Sequence, residues 1–261
     1  MTSARKTRAA RHPERTPPVR ARRASPRALA AFGGIAALTA VAIVLAVVLS
    51  GGKSSAPNVP AVGTLENALP GATEVDALFS GIPQQGMRLG RASAPVTLIE
   101  YLDLQCPYCK EIETQVLPDF IERYVRTGKV KLVVRPLAFV GPDTVRGRKA
   151  MIAAARQDRA FNLAGLFYVN QGTENTGWLD DAMVARAAAS IPRLQVHTLL
   201  DASESAATAK LAAQNDSLAK SDHVNATPTF MVGSSFGSEK TTLDAPSEAG
   251  LIAAVDSVLN P

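Results

Sequence analysis

The period of the apolar positions changes several times along this chain, and each change marks an element. Residues 28–49 carry no charge and are dominated by Ala, Val, Leu and Ile. At about 1.5 Å per helical residue, such a run is long enough to cross a hydrocarbon core of about 30 Å. Residues 50–73 open with the small-residue and proline mixture from Ser50 to Pro60 and are read as a flexible linker. From 74 to 261 the pattern is that of one globular domain, long enough to enclose a core. Within it Gly86 to Gly90 reads as a short first strand. Val96 to Asp103 is apolar on both faces, as in a strand at the middle of a sheet covered by helices. Ile112, Val116, Phe120, Ile121 and Tyr124 then recur at helical spacing, with Pro118 expected to kink the helix and Gly128 to cap it. Val130 to Leu137 returns to strand character. Residues 142–220 are Ala-rich and nearly free of strand signals, a helical block with breaks near 170–177 and 191–193. Thr229 to Val232 and Lys240 to Leu243 are short strands, and Ser247 to Leu259 is an amphipathic closing helix. This order predicts an α/β fold with a helical insertion at about 142–220.

Charge gives the front of the chain an orientation. Residues 1–27 hold nine Lys and Arg against the single acid Glu14. Beside an apolar run, that tail is expected to stay cytoplasmic while everything after it is translocated. The net charge of +5 therefore belongs to the tail, since the remainder holds 19 basic and 22 acidic residues. A basic tail in this position is a topology signal or an anionic-lipid contact, and nucleic-acid binding is not expected. The apolar run exceeds the length of a signal-peptide core, and its exit shows no small-residue cleavage site. We expect an uncleaved transmembrane helix at 28–49 in a single-pass cell-membrane protein with its folded domain extracytoplasmic.

The chain has two cysteines, and they stand together as Cys106-Pro107-Tyr108-Cys109, between a strand and a helix. A helix N-terminus offers unpaired N–H groups and the positive end of the macrodipole, both of which favour thiolate over thiol. The thiolate is the attacking species in disulfide exchange. A zinc site lacks ligands, with only His12, His197 and His223 besides. A permanent disulfide would close too small a loop to constrain the unfolded chain much. The remaining reading is a reversible dithiol: Cys106, at the helix cap, as nucleophile, and Cys109, one turn in, as the resolving thiol. Pro107 and Tyr108 tune the number of N–H groups facing the sulfur, Pro107 by removing one.

Three further positions carry chemistry. Strand alternation puts Glu100 on one face with Leu98 and Leu102, an acid in an apolar row. Burial would raise its pKa and make it a proton acceptor for the resolving thiol; an exposed edge-strand acid is the alternative. Asp103, nearer the loop, reads as a turn or capping residue. Thr227-Pro228 precedes a strand; a cis bond there would turn the backbone towards the cysteines, though sequence alone does not call for one. His223 reads as a surface loop residue, and Trp178, Phe161, Phe167 and Tyr168 as core.

The run Glu100-Tyr101-x-Asp103-x-Gln105-Cys106-Pro107-Tyr108-Cys109, taken with Thr227-Pro228-Thr229-Phe230, resembles the DsbA-like, thioredoxin-fold disulfide oxidoreductases of the membrane-anchored bacterial type. The likeness spans roughly 85–261. It implies a thioredoxin-like fold, a cis-proline loop facing the cysteines with Thr227 and Pro228 contacting substrate beside Pro107 and Tyr108, and a buried acid at Glu100. It further implies disulfide formation in exported proteins and reoxidation by a quinone-linked membrane oxidoreductase. Pro-Tyr departs from the Pro-His of the strong oxidants in that family, so a reductase or isomerase of the same fold stays open. A peptide-binding chaperone with an incidental dithiol is a third reading. Nothing in the sequence points to a metal or organic cofactor.

Overall fold

The computed structural model describes residues 59–261. The tail at 1–27 and the apolar run at 28–49 lie outside the described residues. Among the described residues no helix is long and apolar enough to cross a membrane.

The sheet is built around β3 (Val96–Leu102), whose residues are nearly all buried, as an unbroken apolar run demands. It pairs in parallel with β4 (Val130–Pro136), Glu100 opposite Val134, and antiparallel with β5 (Thr229–Ser234), Glu100 opposite Phe230. A short hairpin, β1 (Gln84–Gln85) and β2 (Arg88–Leu89), extends the β4 edge, and β6 (Thr241–Asp244) extends the other. The resulting order is β1-β2-β4-β3-β5-β6. Parallel β3 and β4 need a crossover, and the helical stretch 107–125, here α2, supplies it.

α2 is not uniform. α-Helical Pro107–Glu111 and Leu117–Phe120 alternate with π-helical Ile112–Val116 and Ile121–Val125. The expected irregularity at Pro118 takes the form of this widened turn. Pro118 has no N–H to give, and the Leu117 N–H bonds back to Ile112 O. Gly128 closes the segment at φ +81°, a left-handed conformation open to glycine, with its N–H on Val125 O.

Between β4 and β5 stand five helices: α3 (Pro142–Ala155), α4 (Ala160–Val169), α5 (Asp181–Ala189), α6 (Val196–Ser203) and α7 (Ala206–Ser221). The closing α8 (Glu248–Leu259) buries Leu251 and Val255. The large core cluster joins Leu98 and Leu102 of β3 to Phe120 and Ile121 of α2 and to Phe161, Phe167 and Tyr168 of the insertion. Ile99 and Tyr101, on the opposite face of β3, are covered by Leu137, Ala219 and Val224. β3 is thus enclosed from both sides.

The linker expectation for 50–73 needs correction over its described part. Val62 bridges Gln195, the Gly63 N–H reaches Leu194 O at 2.8 Å, and Thr64 N–H reaches Ala189 O at 2.9 Å. A Cβ at Gly63 would stand 2.2 Å from Ile191 O, so this glycine permits a close backbone approach. Leu69 is buried, and α1 (Ala72–Phe79) begins before 74. Composition suggested a tether, but paired N–H groups and buried apolar side chains make 61–73 part of the domain.

Candidate active site

Cys106 occupies the N-cap of α2 with extended backbone (φ −68°, ψ 122°), and Pro107 takes the first helical position, where a missing N–H costs nothing. Both cysteines are free thiols in this structure, Cys106 at 5% exposure and Cys109 at 0%. The Cys106 thiol donates to Thr227 O across 3.2 Å, and the Thr227–Pro228 peptide bond is cis. Residues 121 positions apart in sequence therefore meet at one sulfur. Tyr108 points outward, 66% exposed.

The two thiols are driven apart in acidity. A hydrogen bond from the Cys109 thiol, helped by the backbone N–H groups of Cys109 and Tyr108, pulls Cys106 down to about 6 against the opposing effect of burial. Burial pushes Cys109 well above its ordinary value, and its role as donor to Cys106 adds to this. One sulfur is prepared as thiolate and the other held as thiol.

Glu100 is fully buried, and no backbone N–H or hydroxyl donor among the described residues reaches its carboxylate oxygens, which face the carboxyl of Glu113. Burial raises its pKa well above the usual range, and the adjacent Glu113 raises it further. An uncharged carboxyl is what such a site tolerates. Glu113, itself raised by burial, was missed by sequence reading. The available signal was its position four residues after Cys109, on the same side of a helix. Glu113 also borders a cavity of about 450 Å³ walled by Val75, Phe79 and Tyr168.

Asp103 is more than a turn residue. It is fully buried, and its Oδ1 accepts from Gln105 N (2.9 Å) and Thr144 Oγ1 (2.8 Å). Its Oδ2 accepts from Phe139 N (2.7 Å) and Val140 N (2.9 Å). Gln105, also buried, accepts from Asn175 N at 2.9 Å and donates to Thr144 Oγ1 at 3.0 Å. Gln171 Nε2 donates to Leu104 O (3.0 Å) and Cys106 O (3.3 Å), and the Tyr168 hydroxyl reaches Asp103 O at 3.2 Å. The helical insertion thereby grips the loop that presents Cys106. Apart from the local Gln105 N–H, these partners lie 36 to 70 positions away, and no spacing in the sequence signals them.

Phe161, Phe167 and Tyr168 are buried as expected, and Trp178 is partly buried at the margin of the same core cluster. His223 is exposed at φ +57° in the loop before Thr227. Among the described residues no cluster of His, Cys, Asp or Glu could hold a metal ion.

A central sheet with a dithiol at the cap of its crossover helix, facing a proline loop, defines a thioredoxin-like redox protein. The chain belongs to the thioredoxin family, whose model matches residues 83–249. It is similar to the "Probable disulfide bond formation protein D" of Bacillus cereus, at 30% identity over 122 residues. That match covers 46% of this chain and 56% of the relative, so the chain spans little more than half the length of that protein. Among solved structures it resembles oxidised BdbD from Bacillus subtilis, with a TM-score of 0.61 at 19% identity, covering 69% of this chain and 98% of the other. It also resembles Pseudomonas aeruginosa DsbA2, with a TM-score of 0.55 at 25% identity, covering 68% and 96%. BdbD, at its level of identity, speaks for the fold alone.

Proposed function

We propose that this protein is a thiol:disulfide oxidoreductase that forms disulfides in exported proteins. The observation that carries the reading is the split between the cysteines: a cap thiol drawn down to about 6 beside the Thr227 carbonyl, and a buried partner pushed up. The "disulfide bond formation" name of the Bacillus cereus relative supports the direction.

The cycle starts with Cys106 and Cys109 joined as a disulfide. A substrate thiolate attacks Cys106 Sγ, forming a mixed disulfide and expelling Cys109 as thiolate. Glu100, uncharged through burial, gives up its proton to that sulfur as the Cys109 thiol re-forms. The substrate's second thiolate then attacks its own sulfur in the mixed disulfide and releases Cys106 as thiolate. Substrate loses two electrons and the cysteine pair gains them. A low pKa makes Cys106 a good leaving group and stabilises the reduced form, which poises the couple toward oxidation of substrate. This favours an oxidase over a reductase or isomerase. Thr227, Pro228, Pro107 and Tyr108 frame the substrate around Cys106.

The apolar run at 28–49 and the basic tail before it support a single-pass anchor that holds the domain outside the cytoplasm. Reoxidation falls, in this reading, to a quinone-linked membrane partner. Two measurements bear on the proposal. Replacing Cys106 with Ser in the full chain should abolish oxidation of a dithiol peptide, and undiminished turnover would reject the mechanism. Protease added to intact cells stripped of their wall should digest the domain; full protection would reject the placement.

A further inference from the structure

Tyr101 and Arg135 stand opposite one another where β3 pairs in parallel with β4, near the C-terminal ends of both strands. Strand alternation turns Tyr101 to the face away from Glu100, where it is fully buried with Ile99, Ala219 and Val224. Its hydroxyl donates to Asp222 Oδ2 across 2.5 Å. Arg135 Nη1 donates to the same carboxylate oxygen at 3.1 Å and to the Tyr101 hydroxyl, with its guanidinium 5.2 Å from the centre of the ring. The side chains of Arg135 and Asp222 are 19% and 26% exposed, so solvent screens this pair less than one on the surface. Burial and donation to Asp222 push the Tyr101 hydroxyl up to about 12, which keeps it a donor.

Asp222 caps the end of α7 and opens the loop that reaches Thr227 five residues later. His223 turns the chain at φ +57° and Val224 is buried, whereas Asn225 and Ala226 stand exposed. Past Thr227 the chain is fastened again, Pro228 O accepting from Ala245 N at 2.9 Å. Between these two anchors Thr227 meets the reactive sulfur, its carbonyl accepting from the Cys106 thiol. Cys106, lowered first by the Cys109 thiol, is lowered further by a hydrogen bond from the Thr227 side chain.

Resting on the oxidoreductase reading above, we propose that Tyr101, Arg135 and Asp222 are positioning residues, a clamp that ties the start of the Thr227–Pro228 loop to the sheet and so holds Thr227 at Cys106. A short loop has few arrangements once both of its ends are fixed. Releasing Asp222 restores conformations in which Thr227 leaves the sulfur, and ordering them again costs entropy. The strand that carries Tyr101 runs on through Asp103 to Cys106, so loop and cysteine are both placed from β3. None of the three clamp residues has a part in the sulfur chemistry.

The test uses the full chain with Tyr101→Phe, Arg135→Gln and Asp222→Asn, each of which removes part of the clamp at little cost in shape. In every variant the pH profile of Cys106 alkylation by iodoacetamide should move to higher pH than in the wild type. With a dithiol peptide, kcat/KM should fall about two- to ten-fold, the weight of one net hydrogen bond, and the loss should lie in KM. A small dithiol, which does not lean on the loop, should lose less. Tyr101→Phe combined with Asp222→Asn should lose less than the two single losses together, because both cut the same contact. A lowered urea midpoint with the alkylation profile and the peptide KM of the wild type would make the three residues merely structural and overturn the proposal. Fully additive losses would overturn it too, since the residues would then act separately. Alkylation needs no substrate, so variants that shift its profile in a protein that oxidises no dithiol would overturn the oxidoreductase reading and leave the clamp standing.

Discussion

Cys106 and Glu100 make the residue-scale argument, because each holds an ionisation state that water would not give it. Cys106 gains from hydrogen bonds to its sulfur, whereas Glu100 loses from burial with no donor to either oxygen. The consequence for stability follows from the sign of the shift. A carboxyl raised above its ordinary value of 4.5 contributes fully below that pH, and its contribution is lost as pH rises towards the folded-state value. Glu100→Gln removes this loss. The variant should match the wild type near pH 4.5 and exceed it increasingly above, by up to about 1.4 kcal/mol per pH unit. Glu113, shifted in the same direction, leaves part of the slope in place. Urea denaturation of the reduced proteins at pH 5 and pH 8 checks this, and an equal difference at both would contradict it. Glu100 was legible because strand alternation assigns a face. Glu113 had only its helical spacing from Cys109 to mark it, because its place beside Glu100 is decided by packing.

At the scale of elements, the active-site loop is fastened to the insertion and not only to its own sheet. Asp103 gathers four donors from its own loop, from the segment after β4 and from Thr144 of α3. Asp103→Asn keeps the shape but turns one acceptor into a donor that faces other donors. It should cost on the order of 3 kcal/mol of stability, read from the urea midpoint, and raise the Cys106 thiolate pKa as the loop loosens. A midpoint within experimental error of the wild type would show that the network is dispensable. The elements themselves were readable from apolar period: β3, β4, β5 and the closing helix fall close to where the pattern predicts. The strand expected at Lys240 to Leu243 is shifted by one residue to Thr241–Asp244. The irregular α2 was legible only as Pro118, since proline marks where a hydrogen bond is missing without stating how the helix absorbs the loss.

At the scale of the whole molecule, the segment before α1 is the informative one. Its glycines and prolines suggest a tether, yet Gly63 lies against the Ile191 carbonyl and Leu69 is buried. A methyl at Gly63 has backbone as its neighbour and cannot be accommodated by turning a side chain. Gly63→Ala should therefore lower stability by about 1–3 kcal/mol, the usual cost of overpacking, seen as a lower thermal midpoint. An unchanged midpoint would restore the tether reading for this stretch.

The sequence by itself determined the kind of chemistry and the kind of fold. Both rest on local signals: two cysteines one helical turn apart, an apolar period of a strand before them and of a helix after them, and an acid in an apolar row. Tertiary structure alone decided which groups act on those sulfurs. The Thr227 carbonyl, the Phe139 and Thr144 donors to Asp103 and the grip of Gln171 all arise from contacts between residues far apart in the chain. Such contacts leave no period or spacing behind, because they are set by how the insertion and the sheet close over one another.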